Sequence, residues 1–283
     1  MKYFILIALV TLGLSGCIKN NDIPSYIQIN PWVLEENTSS THNAGVLTHN
    51  FSNAWVYVDN QLLGVFELPC TVPVLKTGSS EIRIYPTVLN NGISATKKVY
   101  PFVEFYTAYV TLESNEVTEI NPVTRYKTNA QFWIEDFENA TFKMNEGNTS
   151  EASLIVESNT SNTNRYGRVY LNSAQSTWYA YTTEELAFPA GTDVYLEVDY
   201  YNTNNVVTGL LVNKSDGSTE NNINIQMNAQ EPGTEVWKKI YIDLKELVNL
   251  SGGVGFLQSF QAALDDDDSE GLILIDNIKV VHY

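Results

Sequence analysis

Cysteine, histidine and basic residues are scarce in this chain of 283 residues. There are two cysteines, Cys17 and Cys70. With Cys17 engaged elsewhere, as argued below, Cys70 has no partner and a disulfide framework is excluded. Cys70 lies in Leu68-Pro69-Cys70-Thr71-Val72, with no His or Lys beside it. That is the setting of a small buried hydrophobe, not of a reactive thiol. The three histidines are His42, His49 and His282. Only His42 and His49 are near each other, and two imidazoles seven residues apart form no recognised metal or base motif. His-Glu-x-x-His, Gly-x-Ser-x-Gly, Cys-x-x-Cys and Gly-rich phosphate loops are all missing. The expectation is a protein that is not an enzyme. Sixteen Lys and Arg face 33 Asp and Glu, for a formal net charge of −17. Such a surface repels phosphate backbones and anionic lipid, so neither nucleic acid nor a basic membrane patch is expected. Helical periodicity is also nearly absent, with only 183–186 and 244–250 reading as short helices.

What is present is alternation. Apolar and polar residues trade places in short runs bounded by Asn, Gly, Pro and Ser. Examples are Trp55-Val56-Tyr57-Val58, Glu81-Ile82-Arg83-Ile84-Tyr85 and Tyr109-Val110-Thr111-Leu112. Further on come Arg168-Val169-Tyr170-Leu171, Val194-Tyr195-Leu196-Glu197-Val198, Lys239-Ile240-Tyr241-Ile242 and Leu272-Ile273-Leu274-Ile275. β-Branched and aromatic residues suit a pleated, half-buried surface. Many such strands with turns between them predict an all-β chain of sandwiches or jelly rolls. Asn121-Pro122 breaks one strand pattern and Phe132-Trp133-Ile134 opens another, so a domain boundary is expected at 126–130.

The first residues carry an address. Lys2 precedes an apolar run at 3–12, shorter than the roughly 20 residues a membrane-spanning helix needs. Small residues follow, in Leu14-Ser15-Gly16-Cys17. A positive start, a short apolar stretch and a small-residue cut form an export signal. The Leu-Ser-Gly-Cys ending resembles the lipobox of bacterial lipoproteins. The resemblance implies a signal peptide over 1–16, lipid on Cys17 and a membrane partner held by that lipid alone, on a tether over 17–25. Lys19 and Asp22 partly match the surface-export pattern of Bacteroidetes lipoproteins, with asparagines where acids are usual. The expected location is the outer membrane, lipid-anchored, with the surface-exposed and periplasm-facing orientations both open.

Over 26–126 a small β-sandwich is expected. Asp59-Asn60 sits between two apolar runs as a tight hairpin turn, and Gly64 permits a positive φ. Pro69, Pro73 and Gly78 follow. This order resembles the PEGA domain, a bacterial surface β-sandwich that serves as spacer or interaction module. Over 131–283 the chain opens Glu135-Asp136-Phe137-Glu138, carries Trp237 before a late strand, and closes Asp276-Asn277-Ile278. That set resembles the galactose-binding-like jelly rolls used as carbohydrate-binding modules. The resemblance implies a structural Ca²⁺ on Asp136, Glu138 and Asp276. Asp136 and Glu138 would share a strand face, and calcium takes six to eight oxygen ligands. The alternative for Asp276-Asn277 is a bulge with satisfied hydrogen bonds.

Sugar binding needs exposed flat aromatics with polar partners beside them. The candidates are Trp178, Tyr179 and Tyr181, with Trp178 among polar neighbours, and Tyr200 and Tyr201. Alternation makes about half of these structural. Trp237 opens an apolar strand and is expected in the core. The acidic run from Asp265 to Glu270 reads as a solvated hairpin tip. Two functions follow. One is a lipid-anchored cell-envelope protein whose jelly roll recognises a glycan. The other is a non-catalytic subunit of an outer-membrane uptake, secretion or adhesion complex, with a protein partner.

Overall fold

The structure is a computed structural model that describes residues 23–158, 164–265 and 268–283. The expected signal peptide, Cys17 and the residues just after it therefore lie outside the described residues. None of the described helices is long and apolar enough to cross a membrane.

The first group of strands is β1 (Ser25–Ile29), β2 (Val33–Glu35), β3 (Asn53–Val58), β4 (Gln61–Glu67), β5 (Cys70–Val74), β6 (Gly78–Leu89), β7 (Lys97–Val99), β8 (Tyr106–Leu112), β9 (Val117–Ile120) and β10 (Val123–Arg125). One sheet runs β4-β3-β6-β7, with β8 also on β6. Opposite it lie β5-β1-β9 and the pair β10-β2. Ile27 and Ile29 from one layer and Val56, Val58, Ile82 and Ile84 from the other join a single buried cluster. The β3–β4 hairpin turns at Asp59 (φ 46°) and Asn60 (φ 68°), the left-handed pair that a two-residue turn demands. Asp59 also accepts the Glu81 amide at 2.9 Å, which ties the turn to β6. Gly64 has φ 159°, close to extended, and sits where the β3–β4 register shifts. Cys70 is half-buried, and burial pushes its thiol above the ordinary range, away from reactivity.

The second group is β11 (Gln131–Glu135), β12 (Met144–Glu146), β13 (Ile155–Ser158), β14 (Arg165–Asn172), β15 (Thr177–Thr182), β16 (Val194–Asn202), β17 (Val206–Lys214), β18 (Thr219–Met227), β19 (Lys238–Asp243), the helix α1 (Lys245–Leu250), β20 (Gly253–Ala263) and β21 (Glu270–His282). Six strands form one sheet, β13-β14-β21-β16-β19 with β11 also on β21. Five form the other, β12-β15-β20-β17-β18. Their inward residues, among them Trp178, Phe260, Leu196, Val198, Ile273 and Ile275, make one core. This is the all-β, two-sheet architecture expected. Two expectations fail. Residues 183–186 form no helix, because Leu186 is held extended by a bridge to Phe256. The acidic run does not join a hairpin, since β20 and β21 belong to different sheets.

The outer face of the six-stranded sheet is covered by the first strand group. Tyr195 and Tyr241 from that sheet join the first group's cluster, and so does Val281. Tyr100 meets Tyr195 and Tyr241 at centroid distances of 5.3 and 5.0 Å. Among these rings sits Glu197, with no solvent exposure. Its carboxylate accepts the Tyr100 hydroxyl at 2.5 Å and the Tyr126 hydroxyl at 2.8 Å, and pairs with Lys239 Nζ at 3.1 Å. Lys279, equally buried, donates to the Val46 carbonyl at 2.6 Å. Burial pulls Lys279 down to about 8, against the attraction of Glu197. Burial pushes Glu197 up, but Lys239, Lys279 and the two tyrosines outweigh it and hold the carboxyl below its usual value.

Candidate functional site

The outer face of the five-stranded sheet is the open one. β15 alternates strictly, with Trp178, Ala180 and Thr182 buried and Tyr179 and Tyr181 on the other side. Register then builds rows across the strands. Tyr179 pairs with Gln261 of β20, Gln261 with Val207 of β17, and Val207 with Gln226 of β18. The next row runs Asn145, Tyr181, Ser259, Gly209. The two tyrosine rings lie 5.9 Å apart and are tilted by 44°. A groove of about 420 Å³ opens at Tyr179, with Gln226, Gln261, Asn205 and Asp265 among its walls. Asn205 donates to both Asp265 carboxylate oxygens at 3.0 Å, which fixes the polar rim.

Two glycines shape this face. A Cβ on Gly147 would stand 2.0 Å from the Tyr179 ring, so the ring lies directly on backbone. A Cβ on Gly209 would stand 2.6 Å from the Asn222 carbonyl, at the bulge where β17 and β18 close up. Chemically, the face offers ring surfaces, amides and one carboxylate that is already hydrogen-bonded. Such a set stacks and hydrogen-bonds. The groove's described walls contain no second carboxylate to make the pair that glycoside hydrolysis uses.

The sequence candidates are scattered. Trp178, expected exposed, is 1% exposed and stacks on Phe260 at 6.3 Å. Its polar sequence neighbours belong to the opposite face and to the preceding turn, so they say nothing of its own side. Tyr200 is half-buried against the jelly-roll core, and Tyr201 lies on the six-stranded sheet. These two do not join Tyr179 and Tyr181, which belong to the other sheet. Trp237 reverses the other way. It was expected in the core and is 44% exposed. Gln261, Gln226 and Asn205 were not singled out from sequence. Only cross-strand register brings them beside Tyr179, and no local pattern encodes that.

The calcium candidates do not share a strand face. β11 ends at Glu135, and Phe137 turns with φ 57°, so Asp136 and Glu138 sit in a turn. Each has a neighbouring donor: Asp136 accepts the Glu138 amide at 3.2 Å, and Glu138 accepts the Arg165 amide at 2.7 Å. Asp276 accepts Asn164 Nδ2 at 2.9 Å and the Asn277 amide at 2.7 Å. Asn277, at φ 46°, is the bulge in β21 that shifts register against β16. Among the described residues no group of three or more His, Cys, Asp or Glu is arranged to hold a metal ion.

No family's sequence profile matches the chain, and no curated protein matches it by sequence. Solved structures do. One is the CBM22-1–GH10 part of xylanase 10B from Clostridium thermocellum, complexed with xylohexaose, with 12% identity over 52% of this chain and a TM-score of 0.36. This chain spans only 28% of that one's length. A second is a non-crystalline cellulose specific carbohydrate-binding module, CBM28, with 13% identity, 51% of this chain, 90% of the other and a TM-score of 0.39. A third is the family 30 carbohydrate-binding module of a Clostridium thermocellum cellulosomal cellulase, with 14% identity, 52% of this chain, 96% of the other and a TM-score of 0.36.

Proposed function

We propose that this chain is a lipid-anchored cell-envelope protein whose jelly roll binds a glycan, without turning it over, across the outer face of the five-stranded sheet. One observation carries the reading: Tyr179 and Tyr181 stand side by side on an open face, with Gln261, Gln226 and Asn205 beside them. The C–H face of a pyranose packs on such rings, and amides orient its hydroxyls. An array of plant and microbial polysaccharides, probed with the soluble form that starts after Cys17, tests it. Tyr179→Ala and Tyr181→Ala are each expected to weaken the glycan found by about tenfold, near 1.4 kcal/mol. Unchanged affinity in both variants would remove this face from the reading. Anchoring has its own test. Mass spectrometry of the mature protein is expected to find acyl chains on Cys17, and a free, unacylated N-terminus would end that part.

One observation favours the second reading, a subunit that binds protein. The first strand group also carries an aromatic outer face. Tyr57, Tyr85 and Phe105 contact one another at 5.5 and 4.9 Å. Phe105 is 48% exposed and Tyr109 on β8 is 76% exposed. Exposed aromatics in a group are a common mark of protein interfaces. A silent array with a membrane complex co-purifying would shift the function to this face.

A further inference from the structure

A second cavity, of about 670 Å³, opens where the six-stranded sheet emerges from beneath the first strand group. It shares no residue with the Tyr179 groove. One wall is aromatic: the exposed Trp237 indole meets Tyr166 edge-on at 5.8 Å. The other wall is a row of charge. Asp276 of β21 pairs with Asp199 of β16, and Asp199 with Lys239 of β19. Thr48 and His49 close the top from the loop after β2.

The charges do not balance at this wall. Lys239 Nζ is shared between Glu197 at 3.1 Å and Asp199 at 3.3 Å. Asp199 also accepts Thr48 Oγ1 at 2.7 Å and Asn277 Nδ2 at 3.0 Å. Asp276, only 4% exposed, accepts amide hydrogens and has no ion-pair partner among the described residues. Its charged neighbours are Asp199 and Glu138. Burial, reinforced by those two, raises its carboxyl to about 6, although the Asn164 and Asn277 bonds oppose the rise. His49 adds no compensating charge near neutral pH, since burial and Lys239 push its value below the ordinary one. Lys238 also lines the cavity, from a position of opposite strand parity to Lys239, and makes no ion pair with Asp276.

We infer that this cavity binds a protonated amine carried on a small ring, an amino sugar being the class that fits, with its ammonium on Asp276 and its ring on Trp237. A cation supplies the charge that the Asp276–Asp199 row lacks, and an indole face accepts both a sugar's C–H surface and a cation's field. This site stands apart from the glycan face, so either can fail alone.

The probes are the β-1,4 dimer of glucosamine and its N-acetylated counterpart, titrated near neutral pH by calorimetry and tryptophan fluorescence. Trp32, Trp133 and Trp178 are buried and Trp55 is half-buried, so a spectral change reports chiefly on Trp237. The free amine is expected to bind at least tenfold more tightly than the acetylated dimer. Binding should vanish in Trp237→Ala, weaken at least tenfold in Asp276→Asn, and stay unchanged in Tyr179→Ala. Thermal melts give the structural control. Asp276→Asn keeps an oxygen to accept the Asn277 amide, so it should melt close to the wild type at neutral pH. Equal binding of both dimers, amine binding that survives Asp276→Asn, or no binding of the amine would each overturn the inference. The comparison of the two dimers uses the unmodified protein and stands even if a variant does not fold.

Discussion

Glu197→Leu is expected to cost roughly 3–5 kcal/mol of stability, the usual penalty for removing one partner of a buried ion pair. The leucine fills the space but accepts nothing. Lys239, which keeps only Asp199, and Lys279 lose their buried countercharge, and the Tyr100 and Tyr126 hydroxyls lose their acceptor. Each orphaned group adds its own desolvation cost. Glu197→Gln keeps an acceptor for the tyrosines and should lose less. Lys279→Met placed on Glu197→Leu should recover part of the loss, because it removes a fully buried cation that has lost its main countercharge. Urea unfolding at pH 7 measures all three. A loss under about 1 kcal/mol for Glu197→Leu would mean that the cluster is not what holds the strand groups together. The pH dependence has a definite sign. Glu197 has a depressed folded value, so its stabilisation is complete above the unfolded carboxyl's value, about 4.3, and fades as pH falls through the folded one. The variant should lack that acid-side loss.

This cluster also marks where sequence reading stops. The strand at 194–198 was legible from alternation, and the Asp59-Asn60 turn from its residue types. The burial of Glu197 has only an indirect cue in the sequence. Val194 to Val198 is apolar on one parity and Tyr195 and Glu197 lie on the other, as happens in a strand covered on both faces. Lys279 between Ile278 and Val280 repeats the cue. A charge inside a near-continuous apolar strand calls for a buried partner of opposite sign. Which partner it finds is set by non-local register and by the packing of one strand group on the other, and neither is written in a local pattern. The expectation that Asp136 and Glu138 share a strand face failed for a local reason. It assumed that the strand ran on, while the backbone turns at Phe137. The candidate tyrosines were half legible. Parity within each run was certain, but which member faced in was not, and nothing local placed Tyr179 and Tyr200 on different sheets.

Trp178 and Tyr179 test parity directly, since they are adjacent in sequence and opposite in role. Trp178→Ala is expected to cost about 3–5 kcal/mol, the range for emptying a large aromatic from a core. Its ring is stacked on Phe260 between the two jelly-roll sheets, and the β-strand ladder around it leaves little room for collapse. Its indole N–H has no partner among the described residues, so the loss is one of packing. Glycan affinity measured on whatever fraction stays folded should be close to that of the wild type, because the ring reaches only the core. Tyr179→Ala should do the reverse. It removes a half-exposed ring lying on the Gly147 backbone, so denaturation midpoints should move little while glycan affinity falls. Calorimetry and urea melts on the same two preparations separate the outcomes. If Trp178→Ala abolished binding at full stability, β15 would present its other face to solvent. The register that joins Tyr179 to Gln261 would then be off by one residue, which turns every side chain of the strand over.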